Sequence, residues 1–416
     1  MITTINNKHN KLNVPNLRFP EFQGEWEKHE LGDICETITD FVAAGSFASL
    51  RENVKYYQED NYAQLVRTVD LKKDFTNNDF VYVDEFAYDF LWRVQLKEPN
   101  IVLPNIGANI GEKYYVSPED LPKEKNVLGP NAILLRSKCN DTHFVYFRLS
   151  TSSYDNEMKK LVGASGQPKF NKTDLKKVRL FMPSLKEQKK ISHFLGLLDE
   201  RIATQNKIIE DLKKLKSAII EKHYSQVKKR TTCIADLGEP FSVGSLAKDD
   251  LVEIGSPCVI YGELFTTYGE IISHIESYTN KTDGMILSKK GDLLFPSSTT
   301  VDAMSLIAPS VINVDGVVLG GDMFGIHISH NYNAQYLSYY FNHIAKRQLA
   351  KFAKGSTIIH LHYADIEKAK LLLPSLEEQN RMAKCLVALD KKVSVEQNLL
   401  SSLTCQKSYL LQQMFI

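Results

Sequence analysis

The sequence predicts a chain of mixed helix and strand, built as a half-repeat in which two unlike globular regions alternate with two long helices. Three observations predict it. The 416 residues are 43% apolar and 24% charged, enough for two or three cores. A block starting at Leu180, LFMPSLKEQKKISHFLGLLDERI, returns without a gap at Leu371 as LLLPSLEEQNRMAKCLVALDKKV. Apolar residues within and beyond both blocks follow a 3-4 spacing, the period of a helix with one buried stripe.

In chain order, residues 1–19 form a polar tail that lacks the charged-then-apolar layout of a signal peptide. No apolar run approaches the ~20 residues of a membrane helix, so a cytoplasmic location is expected. The first globular region spans 20–182, the first long helix 183–230, the second globular region 231–373 and the second long helix 374–416. A weaker echo opens each half. HELGDI (29–34) resembles CIADLG (233–238), aligned through Leu31/Ile234 and Asp33/Asp236 at an offset of 203, and the helix blocks align at an offset of 191. The frame is therefore shared, while the contents of the two globular regions diverge.

Each helix block opens with Pro-Ser-Leu-x-Glu. The sequence predicts capping boxes, Ser184 with Glu187 and Ser375 with Glu378, in which the serine oxygen accepts an orphan N–H and the glutamate reaches back to the cap. The first apolar seam runs Leu195, Leu198, Ile202, Ile209, Leu212 and Ile219; the second runs Leu386, Leu389, Val393, Leu400, Leu403 and Leu410. Each member maps onto its partner at +191. About four heptads of matched seam predict a helix pair and partner interface rather than two separate core helices. Gln205 and Lys216 interrupt the first seam, and Glu396 and Lys407 the second. Polar residues at such positions fix register at some cost in stability.

Composition and motifs also exclude functions. Six scattered cysteines without a CxxC pair predict free thiols in a reducing compartment. Neither a phosphate loop, HExxH nor GxSxG is present, and no Asn/Asp-Pro-Pro-aromatic tetrapeptide occurs. The histidines of His327–His330 and of His360–His362 read as surface or hydrogen-bonded groups, because no other ligand lies at metal spacing; no metal site is expected. The net charge of +1 is unevenly spread: residues 184–230 carry +6, residues 30–182 carry −2 and residues 231–373 carry −5. That balance argues against a strong, non-specific grip on nucleic acid.

The helix starts PSLKEQKKI and PSLEEQNRM resemble those of the specificity subunits of type I restriction-modification systems. So do the continuations LLDERI and ALDKKV, the opening PNLRFPEFQGEWEKHELGDI, and the loops VGASGQPKFNKTDLKKV and AKGSTIIHLHYADIEKA. PNIGANIGEKYYV and GDLLFPSSTTVDAM resemble segments of the same family. The resemblance covers nearly the whole chain and rests on order and half-repeat rather than on one string. It implies an α/β fold: two target-recognition domains with twisted sheets, separated by two long antiparallel coiled-coil helices related by a pseudo-twofold. It implies a non-catalytic subunit that reads a bipartite, asymmetric site on double-stranded DNA. The implied partners are two modification (methyltransferase) subunits, which bind S-adenosylmethionine, and restriction subunits, which use ATP and Mg. No cofactor is expected in this chain. A helix of about 40 residues, roughly 60 Å long, exceeds the 34–36 Å of a DNA turn.

Candidate DNA contacts follow from donor chemistry near glycine loops. Gln167, Lys169 and Lys172 lie beside Gly163 and Gly166; Lys354, Ser356, Thr357 and His360 flank Gly355. Such groups suit phosphates or base edges. A second set is Asn105, Asn109 and Lys113 in the first half, with Ser297, Ser298, Thr299 and Thr300 in the second. Arg67, Lys72 and Arg93 complete the list. The competing readings are turn and cap residues for the loops, and for the whole chain a coiled-coil scaffold with degenerate recognition domains.

Overall fold

The computed structural model describes residues 3–4, 13–107, 109–161 and 169–416. By compactness the chain divides into two units, one of residues 1–204 and 400–416, the other of residues 205–399. The long helices run Leu185–Gln226 and Leu376–Gln413. Each unit therefore takes part of both. Among the described residues no helix is long and apolar enough to cross a membrane.

Both helices start immediately after their serines. Ser184 Oγ accepts from the Glu187 N–H, and Ser375 Oγ from the Glu378 N–H, each at 3.4 Å. The reciprocal half of the predicted capping boxes is not made. Glu187 instead binds Arg18 through two 2.8 Å hydrogen bonds, in a pair whose side chains are 2% and 5% exposed. Glu378 takes His223 at 3.3 Å and Arg381 at 2.5 Å. A charged partner outcompetes the cap N–H for a carboxylate. The next residue explains the Glu-Gln spacing. Gln188 donates to the Pro183 carbonyl at 2.9 Å and accepts from the Asp141 N–H at 3.0 Å. Gln379 does the same with Pro374 and Asn333, at 2.9 and 3.0 Å. Asp141 and Asn333 cap the helices Thr142–Leu149 and Ala334–His343. Each glutamine thus ties a long helix to the globular region before it.

Within each unit the two helix segments run antiparallel. In the first, Asp199 pairs with Lys407 at 2.5 Å. In the second, Gln205 meets Glu396, Lys216 meets Asp390 at 2.9 Å and His223 meets Glu378. Asp199–Lys407 and Asp390–Lys216 are the same pair carried across by the offset of 191. All twelve seam residues are buried or half-buried. Leu195 and Leu410 join the first core, where Phe415 packs against Trp26 and Phe144. Leu386 and Ile219 join the second.

The globular parts share a topology despite their unlike sequences. In the first unit, Thr37–Asp40, Ala132–Arg136, Asn100–Pro104 and Tyr114–Val116 form an antiparallel sheet in that order. A second sheet orders Tyr82–Val83, Ala63–Val66 and Asn126–Leu128, the last two parallel. In the second unit, Gly238–Ser242, Met323–Ile328, Asp292–Pro296, Ser310–Ile312 and Ile271–Ile272 form one sheet. Its companion again contains a parallel pair, Ser256–Ile260 with Val318–Gly320. Asn100–Pro104 and Asp292–Pro296 are buried throughout, as expected of central strands covered on both faces. A two-stranded closure joins the ends of each globular part. Arg179 lies opposite Glu30, and Lys370 opposite Cys233, so offsets of 203 and 191 superimpose the two pairings.

Candidate nucleic-acid interface

Each central strand ends on a proline, Pro104 or Pro296, and the chain then leaves its sheet. Asn105 N–H donates to the Asn131 carbonyl at 3.2 Å, and Ser297 N–H donates to the Asp322 carbonyl at 2.7 Å. The carbonyls of Asn105 and Ser297 accept from Phe170 at 3.3 Å and from Leu361 at 2.9 Å. Beyond them, Ile106 bridges Lys169, and Ser298 pairs with His360. The loop after the central strand is thereby fastened to the loop before the long helix. The two candidate sets, 65 or so residues apart in each half, are brought together by the same backbone contacts in both units.

In the first unit Lys169 is exposed beside Ile106. Gln167 lies outside the described residues, as do Gly163 and Gly166. Asn105 keeps its amide 3.5 Å from the Phe170 carbonyl, while its side-chain oxygen is buried with no hydrogen-bond partner among the described residues. Asn109 accepts from Lys72 at 2.9 Å, and Lys72 also binds Glu112 at 2.6 Å. Lys113 pairs with Asp155 at 2.6 Å, and Lys172 with Asp40 at 2.7 Å. Arg67 is clamped by Asp70 and the Asp79 carbonyl, both at 2.7 Å. The Asp70 hydrogen bond raises its basicity further. Arg93 donates to the Ala43 carbonyl and lies 4.7 Å from the Trp92 ring. Asn105 and Ile106 line a small hollow of about 330 Å³ with Phe47, Val42 and Asn131.

In the second unit Lys354 and His360 exchange both backbone hydrogen bonds, at 2.9 and 2.7 Å. The tip they close requires Gly355. Its φ is +121°, and a Cβ there would come within 2.0 Å of the Ile358 carbonyl oxygen. Ser356 and Thr357 are exposed at that tip. Lys354 reaches Asp365 at 2.5 Å and holds its carboxyl below the usual range. Ser297 and Ser298 are buried, Thr299 accepts from the Val301 N–H at 3.2 Å, and Thr300 is exposed. Ser298, Thr299, Thr300 and His360 line a cleft of about 910 Å³. Lys346, Asn342 and Asp322 line it too. Sequence reasoning missed these, and also Asn131: strand pairing brings Asp322 and Asn131 to the loops, and helix packing brings Asn342 and Lys346. His327 is held by Asp292 at 2.6 Å and stacks on Phe241. Among the described residues no group of three His, Cys, Asp or Glu could hold a metal ion.

The arrangement is one of hydrogen-bonding loops on a rigid sheet edge, repeated with different side chains. The family model for the type I restriction modification DNA specificity domain matches residues 23–214 and again 234–404. The chain is 25% identical over 409 residues to the MjaX type I restriction enzyme specificity subunit of Methanocaldococcus jannaschii, covering 92% of this chain and 91% of that one. It is 23% identical over 406 residues to the MjaVIII type I specificity subunit of the same organism, covering 91% and 89%. Its fold is similar to that of the type I restriction-modification S subunit from M. genitalium, with a TM-score of 0.62, 15% identity, and 97% and 99% of the two chains covered. A chain from a structural study of assembly and conformational transition in the type I R-M system gives a TM-score of 0.53 at 13% identity, covering 94% and 97%.

Proposed function

The chain belongs to the type I restriction-modification DNA specificity family, and from that premise we propose that it reads a bipartite, asymmetric site on double-stranded DNA, one half-site per globular region. The observation that carries this is the repeated pair of fastened loops. The same backbone contacts fasten Asn105 and Lys169 in one unit, and Ser297 and His360 in the other. An identical frame with unlike donors suits two unlike half-sites. The chain acts as an adaptor. Its paired helices dock two modification subunits, which bring S-adenosylmethionine and methylate adenine, and restriction subunits join with ATP and Mg. The complex works in the cytoplasm.

The test is a methylome. The chain is co-expressed with its modification subunits, and methylated adenines are mapped by long-read sequencing. The expected result is one new motif of two short half-sites around a non-specific gap. Exchanging residues 231–373 for those of a relative should change one half only. A stable complex that methylates nothing would favour the scaffold reading instead.

A further inference from the structure

We infer that Asn131 and Asp322 are a matched pair of specificity-determining residues, one in each half, which read base edges directly. The inference rests on the DNA-reading function proposed above. The two positions are equivalent. Their carbonyls receive the N–H of the first residue past the central strand, Asn105 or Ser297, and the repeat offset of 191 carries one onto the other. Both line the hollow beside the fastened loops of their own unit. No side-chain hydrogen bond or ion pair joins either to another described residue. Both side chains are exposed and so open to a docking partner, whereas Arg67, Lys72, Lys113, Lys172 and Lys354 are all held by carboxylates.

The surroundings convert free polar groups into selective ones. Phe47, 82% exposed, and Ile106 stand on the rim of the first hollow; Val301, 71% exposed, and Ile358 stand on the second. Apolar side chains there can meet a thymine methyl and exclude water when a duplex edge docks. A polar atom left unpaired in such a place is costly, so a base lacking the complementary group is rejected. Asn131 has φ +67°, a conformation that asparagine tolerates better than most residues. An amide donates and accepts, and pairs bidentately with adenine N6 and N7. Asp322 only accepts. Facing DNA, a carboxylate is repelled by phosphates and gains only from an amino proton, such as that of cytosine N4. Lys346 in the same cleft supplies the cation that a nearby phosphate needs. The two halves thus hold different donor-acceptor patterns at one equivalent place.

The experiment uses the purified complex with its modification subunits and duplexes in which each base pair of the mapped site is changed in turn. Asp322→Asn is isosteric. Asn131→Asp keeps a residue type that tolerates positive φ. The parent should show, at one base pair per half-site, a penalty of about tenfold or more for the wrong base. Asp322→Asn should reduce that penalty to about threefold or less, or change the preferred base, at one position of one half-site. Asn131→Asp should do so in the other half-site only. Penalty profiles identical to the parent in both variants would overturn the inference and leave the function standing. A parent complex without any bipartite site would overturn the function itself, before the variants are compared. Complex assembly, followed by size-exclusion chromatography, separates loss of reading from loss of folding. Asp322→Ala serves as a second, smaller variant with the same expected loss of discrimination.

Discussion

Lys216 shows how one side chain can fix a helix pair to the domain it carries. Its ammonium lies 3.0 and 3.1 Å from the Glu270 carboxylate and 2.9 Å from Asp390. His343 reaches the same glutamate at 2.8 Å, and the Tyr339 hydroxyl bonds Asp390. Burial opposes the charge on Glu270, yet the His343 hydrogen bond and the Lys216 charge outweigh it and hold the carboxyl at about 2. The unfolded chain binds that proton near the ordinary glutamate value of about 4.3. The stabilisation is therefore fully present above that value, and is lost as pH falls towards 2. Glu270→Gln should flatten the fall of thermal stability between about pH 4.5 and 2. Parent and variant melting curves that run parallel through that window would refute it.

At the scale of elements, the helix crossing is specified by the polar breaks in the seam. Gln205 and Glu396 occupy the same position in the two repeats, and they meet each other. The Gln205 amide donates to the Glu396 carbonyl at 3.1 Å and to its carboxylate, with Lys392 also at hand. Both residues are buried, 2% and 8% exposed. An antiparallel pair slipped by one heptad would leave these groups opposite leucine or isoleucine, which is why such residues set register. Gln205→Glu would place a second carboxylate in the same dry spot. The expected loss is roughly 3 kcal/mol at pH 7, the cost of an uncompensated buried charge. It should shrink as pH falls towards about 4.3, because two adjacent buried carboxylates take up a proton above the ordinary glutamate value. Urea unfolding at pH 7 and pH 4 measures both; an unshifted midpoint at pH 7 would rule the idea out.

For the whole molecule, charge decides how DNA is held. The globular regions carry −2 and −5, and the excess of +6 sits on residues 184–230. Five cations among the candidate contacts are already ion-paired. Each phosphate neutralised contributes about −0.9 to the logarithmic salt slope on duplex DNA. The isolated chain should therefore bind duplex weakly, with a shallow slope. The complex with modification subunits should bind tightly, with a steeper slope. Titrations at several salt concentrations compare the two. Tight, specific binding by the isolated chain would contradict a partner-supplied clamp.

The chain of 416 residues announces its frame in linear form. The 3-4 spacing of Leu195 to Ile219 and of Leu386 to Leu410, the serines ahead of both helices and the offset of 191 were all readable, because helical periodicity and capping are local. The pairing of Glu187 is not legible in its local pattern, because its partner, Arg18, lies 169 residues away. The fastening of Asn105 to Phe170, and of Ser298 to His360, is a strand-level contact between distant segments that no local pattern encodes. Asn131 and Asp322 carried no sequence signal at all. They stand beside the candidate loops only because each precedes or opens a strand hydrogen-bonded to the central one, Ala132–Arg136 in one unit and Met323–Ile328 in the other. Sequence by itself determined the repeat and its helices; tertiary pairing decided which polar side chains share a cleft, because backbone hydrogen bonds between strands are blind to separation along the chain.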